Sequence, residues 1–296
     1  MQEAVAAERT GFVSRILESR KWYGAEWYMT AIGGLIVLFV VGMTLASLLT
    51  PKLAPYDPEA RVADHFIPPS LGHPFGTDQL GRDILSRIMY GAQLVLLVAL
   101  LSALLSLVVG VPLGLLSGFI GGRIDQVLSL IMDSIYSFPG LILAIALAAL
   151  LGSGVLNVAI AIAVVYIPVF FRLVRGQVLS IKEELYVEAA RSLGASGSTI
   201  LWRYIFPNVI PSVVVVFSLN IADAIITEAA LAFIGLAADP SKPDWGYDIY
   251  RGRSELVGGR WWLVTFPGLA IATVALGFSL FGEGLSEILN PRLRQA

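Results

Sequence analysis

The chain contains no cysteine, so disulfides, thiol catalysis and cysteine-ligated metal are all excluded. Histidine is almost as scarce: His65 and His73 are the only two, too few for a three-histidine metal site. Charge is the third shortage. Only 14% of the 296 residues are charged, where soluble domains carry roughly a quarter. A formal net charge of −2 offers no electrostatic footprint for nucleic acid. A clear small-residue cleavage site is missing too. The first 26 residues are polar and the first apolar run continues to Thr50, so no cleaved signal peptide is expected.

Apolar residues fill the space. The chain is 56% hydrophobic, with a mean hydropathy of +0.78, which places it on the membrane side of ordinary composition. Residues 27–51, 88–122, 134–171 and 261–282 contain no Asp, Glu, Lys or Arg, and 204–238 contain only Asp223 and Glu228. A spanning helix needs about 20 apolar residues. The first and last gaps therefore hold one helix each. The gap at 134–171 has 38 residues, roughly 57 Å as one helix, so it bends back, with LLGSG at 150–154 as the turn. The gap at 88–122 predicts a helix near 92–117, entered from an amphipathic segment around 78–91.

These readings predict an all-α polytopic membrane protein with six transmembrane helices, near 30–50, 92–117, 131–150, 155–176, 209–235 and 263–283. Both termini then share one side. With the N-terminus inside, 12 basic residues lie inside and 8 outside, which favours cytoplasmic termini. The chain divides into a cytoplasmic N-terminal segment at 1–29, the first span at 30–50 and an extracytoplasmic loop at 51–91. A five-helix core follows at 92–283, containing a cytoplasmic segment at 177–208 and an extracytoplasmic loop at 236–262, before a cytoplasmic tail at 284–296.

The cytoplasmic segment is unusual for a membrane protein. EELYVEAARSLG consists of good helix formers with a small Ala189–Ala190 pair, and Gly194 offers a sharp turn after the helix. Ser196 or Ser198 can cap a following helix before the FPN break at 206–208. Glu188 and Arg191, three apart, can share one side. Two readings stand: an amphipathic helix lying on lipid headgroups, or a helix that docks a partner.

Other residues are also marked. GTDQLGRD at 76–83 has Arg82 and Asp83 where a phosphate-binding loop needs lysine and a hydroxyl, so it is no ATP site. Its pairs Asp78/Arg82 and Asp83/Arg87 suit a solvent-facing helix, or an outer gate support or docking surface. Asn220, Asp223 and Thr227 share one face of the fifth span, with Glu228 about 80° away. Intramembrane carboxylates usually face a bundle interior or a water-filled path. These four are read as lining a translocation path or forming a buried polar network. Asp133, near the inner end of the third span, has the same ambiguity. Trp261 and Trp262 suit an interfacial belt.

YVEAARSLGAS at 186–196, followed by ILWRYIFPN at 200–208, resembles the EAA loop of permeases of binding-protein-dependent ABC importers. HPFGTDQLGRDILSRIMYGA at 73–92, GGRID at 121–125, FRLVR at 171–175, EAALAFIGL at 228–236, DWG at 244–246 and NPR at 290–292 extend the likeness. Their order resembles the C-type permease of dipeptide, oligopeptide and nickel importers. Phe206, Ala232 and Asn290 replace residues more usual there. The resemblance implies a type I ABC importer permease, multi-pass in the cell membrane, that is not itself an enzyme. It makes the EAA segment a coupling helix, with Tyr186, Glu188, Ala189, Ala190, Arg191 and Gly194 contacting the ATPase. It also implies a second homologous permease, two cytoplasmic ATPase subunits that bind ATP and Mg, and an extracytoplasmic solute-binding protein. Membrane lipid surrounds the chain, which is expected to hold no cofactor and to bind no nucleic acid. Di- or oligopeptides are the favoured cargo, with nickel or oligosaccharide as alternatives. An ion-coupled secondary transporter using Asp223 and Glu228 is the rival class, and a membrane enzyme stands further off.

Overall fold

A computed structural model describes residues 24–49 and 54–289. The outer parts of the predicted tails, with Arg9, Arg15, Arg20, Lys21, Asn290, Arg292 and Arg294, lie outside the described residues. The described chain is helical, in the order α1 (Gly24–Leu49), α2 (Ile84–Ile120), α3 (Gly122–Tyr136), α4 (Gly140–Leu151) and α5 (Val155–Ile181). Then come α6 (Leu185–Ser192), α7 (Gly197–Phe233), α8 (Trp245–Gly252) and α9 (Trp262–Leu289). Four of these, α2, α5, α7 and α9, are long and apolar enough to cross a membrane. The described apolar part of α1 is Tyr28–Gly42.

Two predicted spans differ from the structure. The second does not begin after an amphipathic approach: α2 runs unbroken for 37 residues from Ile84, roughly 56 Å. Asp83 sets its start by accepting from the Ser86 N–H and hydroxyl, at 2.8 and 2.7 Å. The third is not one helix over 131–150. It breaks after Tyr136, and α3 and α4 meet at 90°. Pro139 is the cause, because it lacks an N–H and pushes Phe138 away from helical backbone. The LLGSG turn is where it was expected, with Gly152 and Gly154 at φ 79° and 136°.

The bundle is organised around α2 and α5, which run parallel. Gly110, Gly114 and Gly118 form a stripe along α2, and a Cβ on any of them would strike α5: Ile167 O at 2.7 Å, Phe171 O at 2.7 Å and Val178 Cβ at 2.8 Å respectively. Small residues let membrane helices approach until backbones touch. Ser106 Oγ adds a bond across the seam to Ala163 O at 3.1 Å. A core including Val95, Ala99, Ile162 and Ile225 joins α7 to this pair, and α9 packs between α7 and α1.

The two ends of the bundle carry different structures. At one end, residues 54–83 and α8 cover the start of α2. At the other, α6 sits between the end of α5 and the start of α7.

Candidate functional site

The segment after α5 is a short surface helix with a defined inner face. Val187 is fully buried and Ala190 nearly so, seated on a cluster with Val178, Ile200, Ile205 and Val209. Leu185, Tyr186, Glu188, Ala189, Arg191 and Leu193 face outward. The two alanines therefore part company: Ala190 anchors α6 to its own chain, and Ala189 is presented. Glu188 and Arg191 both lie on the exposed side, with no ion pair between them among the described residues.

Gly194 ends the helix in the left-handed region at φ 84°. Its N–H donates to Arg191 O, and the Ala195 N–H donates to Ala190 O, both at 3.0 Å. This pair of bonds closes a helix only when a residue free of Cβ strain sits at that position. Ser196, rather than Ser198, caps the next helix through the Thr199 N–H at 3.3 Å. That helix opens with a π-helical turn over Ile200–Ile205, just before Pro207. A wider turn relieves the clash of the proline ring with the preceding carbonyls.

One contact was absent from the sequence reading. Asn208, at the base of α7, donates to Tyr186 Oη at 3.4 Å and to Tyr204 O at 2.6 Å. It ties the outer face of α6 to a helix that crosses the bundle. Burial and the nearby Glu184 push the Tyr186 phenol up. Behind α6, Arg175 grips Asp125 at 2.5 and 2.8 Å, and Lys182 donates to Gly118 O at 3.3 Å. Asp133 pairs with Arg172 at 2.7 Å on an exposed surface. The bent α3 is thereby held to α5, and the platform beneath α6 is braced.

The polar residues of α7 do not form one group. Asn220 is buried, with Oδ1 unpartnered among the described residues, and Asp223 is exposed. Thr227 donates to Asp223 O at 2.8 Å and meets Tyr166 Oη at 3.0 Å. Glu228 is turned away from them and fully buried against Asp244.

At the α8 end, two sequence expectations need correction. Asp78 and Arg82 are not solvent-facing: they pair at 2.6 Å with both side chains buried. Asp83 and Arg87 do not pair with each other. Asp83 takes His73 Nδ1 at 2.9 Å, and Arg87 reaches Asp248 on α8 at 2.5–3.2 Å and Pro58 O at 3.1 Å. The physical reason is the layer of residues 54–83, which folds over the helix start and takes these charges out of water. Trp262 likewise points inward, donating to Thr77 O at 3.3 Å, while Trp261 remains half exposed. Trp245, fully buried, donates to Ile88 O at 2.9 Å. Asp248, Trp245 and Asp244 were visible only as a loop sequence, because each acts through a partner at least 16 residues away.

Long apolar helices packed on a glycine seam, with a capped surface helix between two of them, define a multi-pass helical membrane protein, and its likeness to a solved transporter makes the fold type I ABC-importer-like. The structure is similar to "Inward facing conformations of the MetNI methionine ABC transporter", with TM-score 0.56 and 16% identity, covering 70% of this chain and 98% of that one.

The sequence narrows the assignment. Residues 110–295 match the family described as "Binding-protein-dependent transport system inner membrane component", and the chain belongs to it. It is 44% identical to "Glutathione transport system permease protein GsiD" of Shigella flexneri, over 87% of this chain and 85% of the relative. The Escherichia coli O6:K15:H31 protein of the same name is 42% identical over the same shares. The chain is accordingly a membrane-embedded permease component of an ABC importer, and not an enzyme.

Proposed function

We propose that this permease carries di- and oligopeptides inward and takes its energy from cytoplasmic ATPase subunits seated on α6. The observation that carries the reading is the construction of that helix. One face is sealed into the chain by Val187 and Ala190, the other is fully presented, and its end is fixed by Gly194. A rigid element seated on its own chain transmits displacement, whereas a helix resting on lipid needs an apolar face turned to the headgroups. Here the most deeply buried side chains of α6 face protein.

In this reading α1 and the bent α3–α4 pair complete six spans, and the 12-to-8 basic bias keeps both termini cytoplasmic. A second homologous permease completes the passage. Two ATPases bind ATP and Mg, and an extracytoplasmic binding protein delivers solute to the end bearing residues 54–83 and α8. A peptide cargo is supported by relatives whose name specifies glutathione, a small peptide. Movement of the docked ATPases then biases two arrangements of the bundle through α6, Asn208 and α7.

Crosslinking in the assembled complex tests the docking. The chain has no cysteine, so single-cysteine variants report without background. Glu188→Cys and Ala189→Cys are expected to crosslink to the ATPase, while Val187→Cys is not. Crosslinking of Glu188→Cys to lipid alone would overturn the reading.

A further inference from the structure

The geometry points to a single-proton site shared by Glu228 and Asp244, which latches α8 onto the end of α7. Glu228 lies one turn from the end of the long helix, and Asp244 caps α8 through the Tyr247 N–H at 3.1 Å. Both residues are out of contact with water, at 1% and 0% exposure. Their carboxyls face each other within hydrogen-bonding reach. Among the described residues, no donor reaches Glu228 Oε1 or Oε2, or Asp244 Oδ2. Two buried ionised carboxylates in that position would repel without compensation, and one proton between them replaces the repulsion with a charge-assisted hydrogen bond.

The surrounding charges are already committed. On α8 itself, Asp248 is held by Arg87 of α2, whose remaining donor goes to Pro58 O. Asp78 and Arg82, from the layer above, bind each other. The α9 helix, which packs on α8, has no ionisable residue from Trp262 to Gly282. On α7, Asp223 is exposed one turn away. The cations nearest in the chain, Arg251 on α8 and Arg253 just after it, lie over the Tyr247 and Tyr250 rings, and among the described residues no cation forms an ion pair with Glu228 or Asp244.

Hydrogen bonding also places the proton. Asp244 receives the backbone N–H of Tyr247, which favours its ionised form, whereas Glu228 receives none. Glu228 is the donor and Asp244 the acceptor. Burial still pushes Asp244 up to about 6, so the pair takes a second proton only in acid.

The site is part of a close interface. Gly246 sits where a Cβ would collide with Ala229 O and Ala232 Cβ, so α8 rests directly on the backbone of α7 beside the pair. When α8 lifts, both carboxyls meet water and ionise. The docked state therefore holds at least one more proton than the released state at neutral pH. Docking is strongest in acid and weakens as pH rises, by about tenfold in the docked-to-released ratio per pH unit while that proton is retained.

Two measurements on the full chain in its transporter complex test this. At pH 7.5, infrared spectra should contain a carboxylic acid C=O band that disappears in Glu228→Gln, a variant that keeps a donor for Asp244. Hydrogen exchange of the α8 amides should accelerate relative to Glu228→Gln as pH rises from 6.5 to 8.5, by about tenfold per unit. Comparison at equal pH cancels the intrinsic dependence of exchange. Identical infrared spectra for the two proteins would overturn the site. So would wild-type exchange that responds to added sodium or calcium and not to pH, which would make the pair a cation site.

Discussion

Placing a methyl group on Gly114 tests how closely α2 and α5 approach. A Cβ there would lie 2.7 Å from Phe171 O, 2.9 Å from Val174 Cβ and 3.2 Å from Arg175 N. Ordinary contacts begin near 3.5 Å, so the helices must separate by about 0.8 Å. Two of the three obstacles belong to backbone, which no rotamer change can move. Overpacking of this kind costs about 1–3 kcal/mol. Alanine recovers about 0.5–1 kcal/mol of helix propensity over glycine, leaving a net loss of up to about 2.5 kcal/mol. Gly176, on α5, supplies the control: its Cβ would meet nothing within 4 Å, and it lies on the exposed side of the same helix. Gly176→Ala should be neutral or slightly stabilising. Thermal unfolding of the solubilised chain in its complex, followed by loss of the monodisperse species, gives both midpoints. If Gly114→Ala unfolds at or above the midpoint of Gly176→Ala, the glycine seam is not a close backbone contact and the packing account fails.

Three further outcomes follow from single contacts. Arg87→Ala should destabilise by about 3–5 kcal/mol, because it leaves Asp248 buried without its cation, and the double replacement Arg87→Met with Asp248→Leu should recover much of the loss in a thermal assay. Trp245→Phe removes the bond to Ile88 O and should cost about 1 kcal/mol, visible as faster proteolysis of the α8 loop. Val187→Asp forfeits about 1.5–3 kcal/mol of side-chain burial before any charge penalty, and ATPase co-purification should fall while α2, α5 and α9 stay protected from exchange.

The chain makes some features visible and hides others for physical reasons. Charge gaps locate spans because bilayer hydrocarbon penalises ions over a fixed length. The turn at Gly152 and the helix end at Gly194 are legible because positive φ selects glycine. The coupling segment is legible in outline through its motif. Its register is not, since an Ala–Ala pair looks alike on both sides until Val187 is known to face inward. The break at Pro139 lies within a charge-free run, so a charge-gap count passes over it. The glycine stripe of α2 was hidden for a similar reason, being apolar among apolar residues. Charged pairs misled most. Spacing of four favours Asp83 with Arg87, but Asp248, 161 residues from Arg87, wins because α8 is buried on α2. Glu228 reads equally as a path residue or part of a buried network, and its neighbour Asp244, brought against it by the following loop, is not legible.

The most direct test of the central claim is solute uptake by proteoliposomes containing this chain, its partner permease, the ATPases and a binding protein. Glu188→Arg reverses a charge on the exposed face of α6 without touching its buried seat. Wild type should take up di- and oligopeptides only with ATP, and Glu188→Arg should assemble with the second permease yet lose both ATPase docking and uptake. Uptake driven by an ion gradient in vesicles lacking the ATPases would contradict the account.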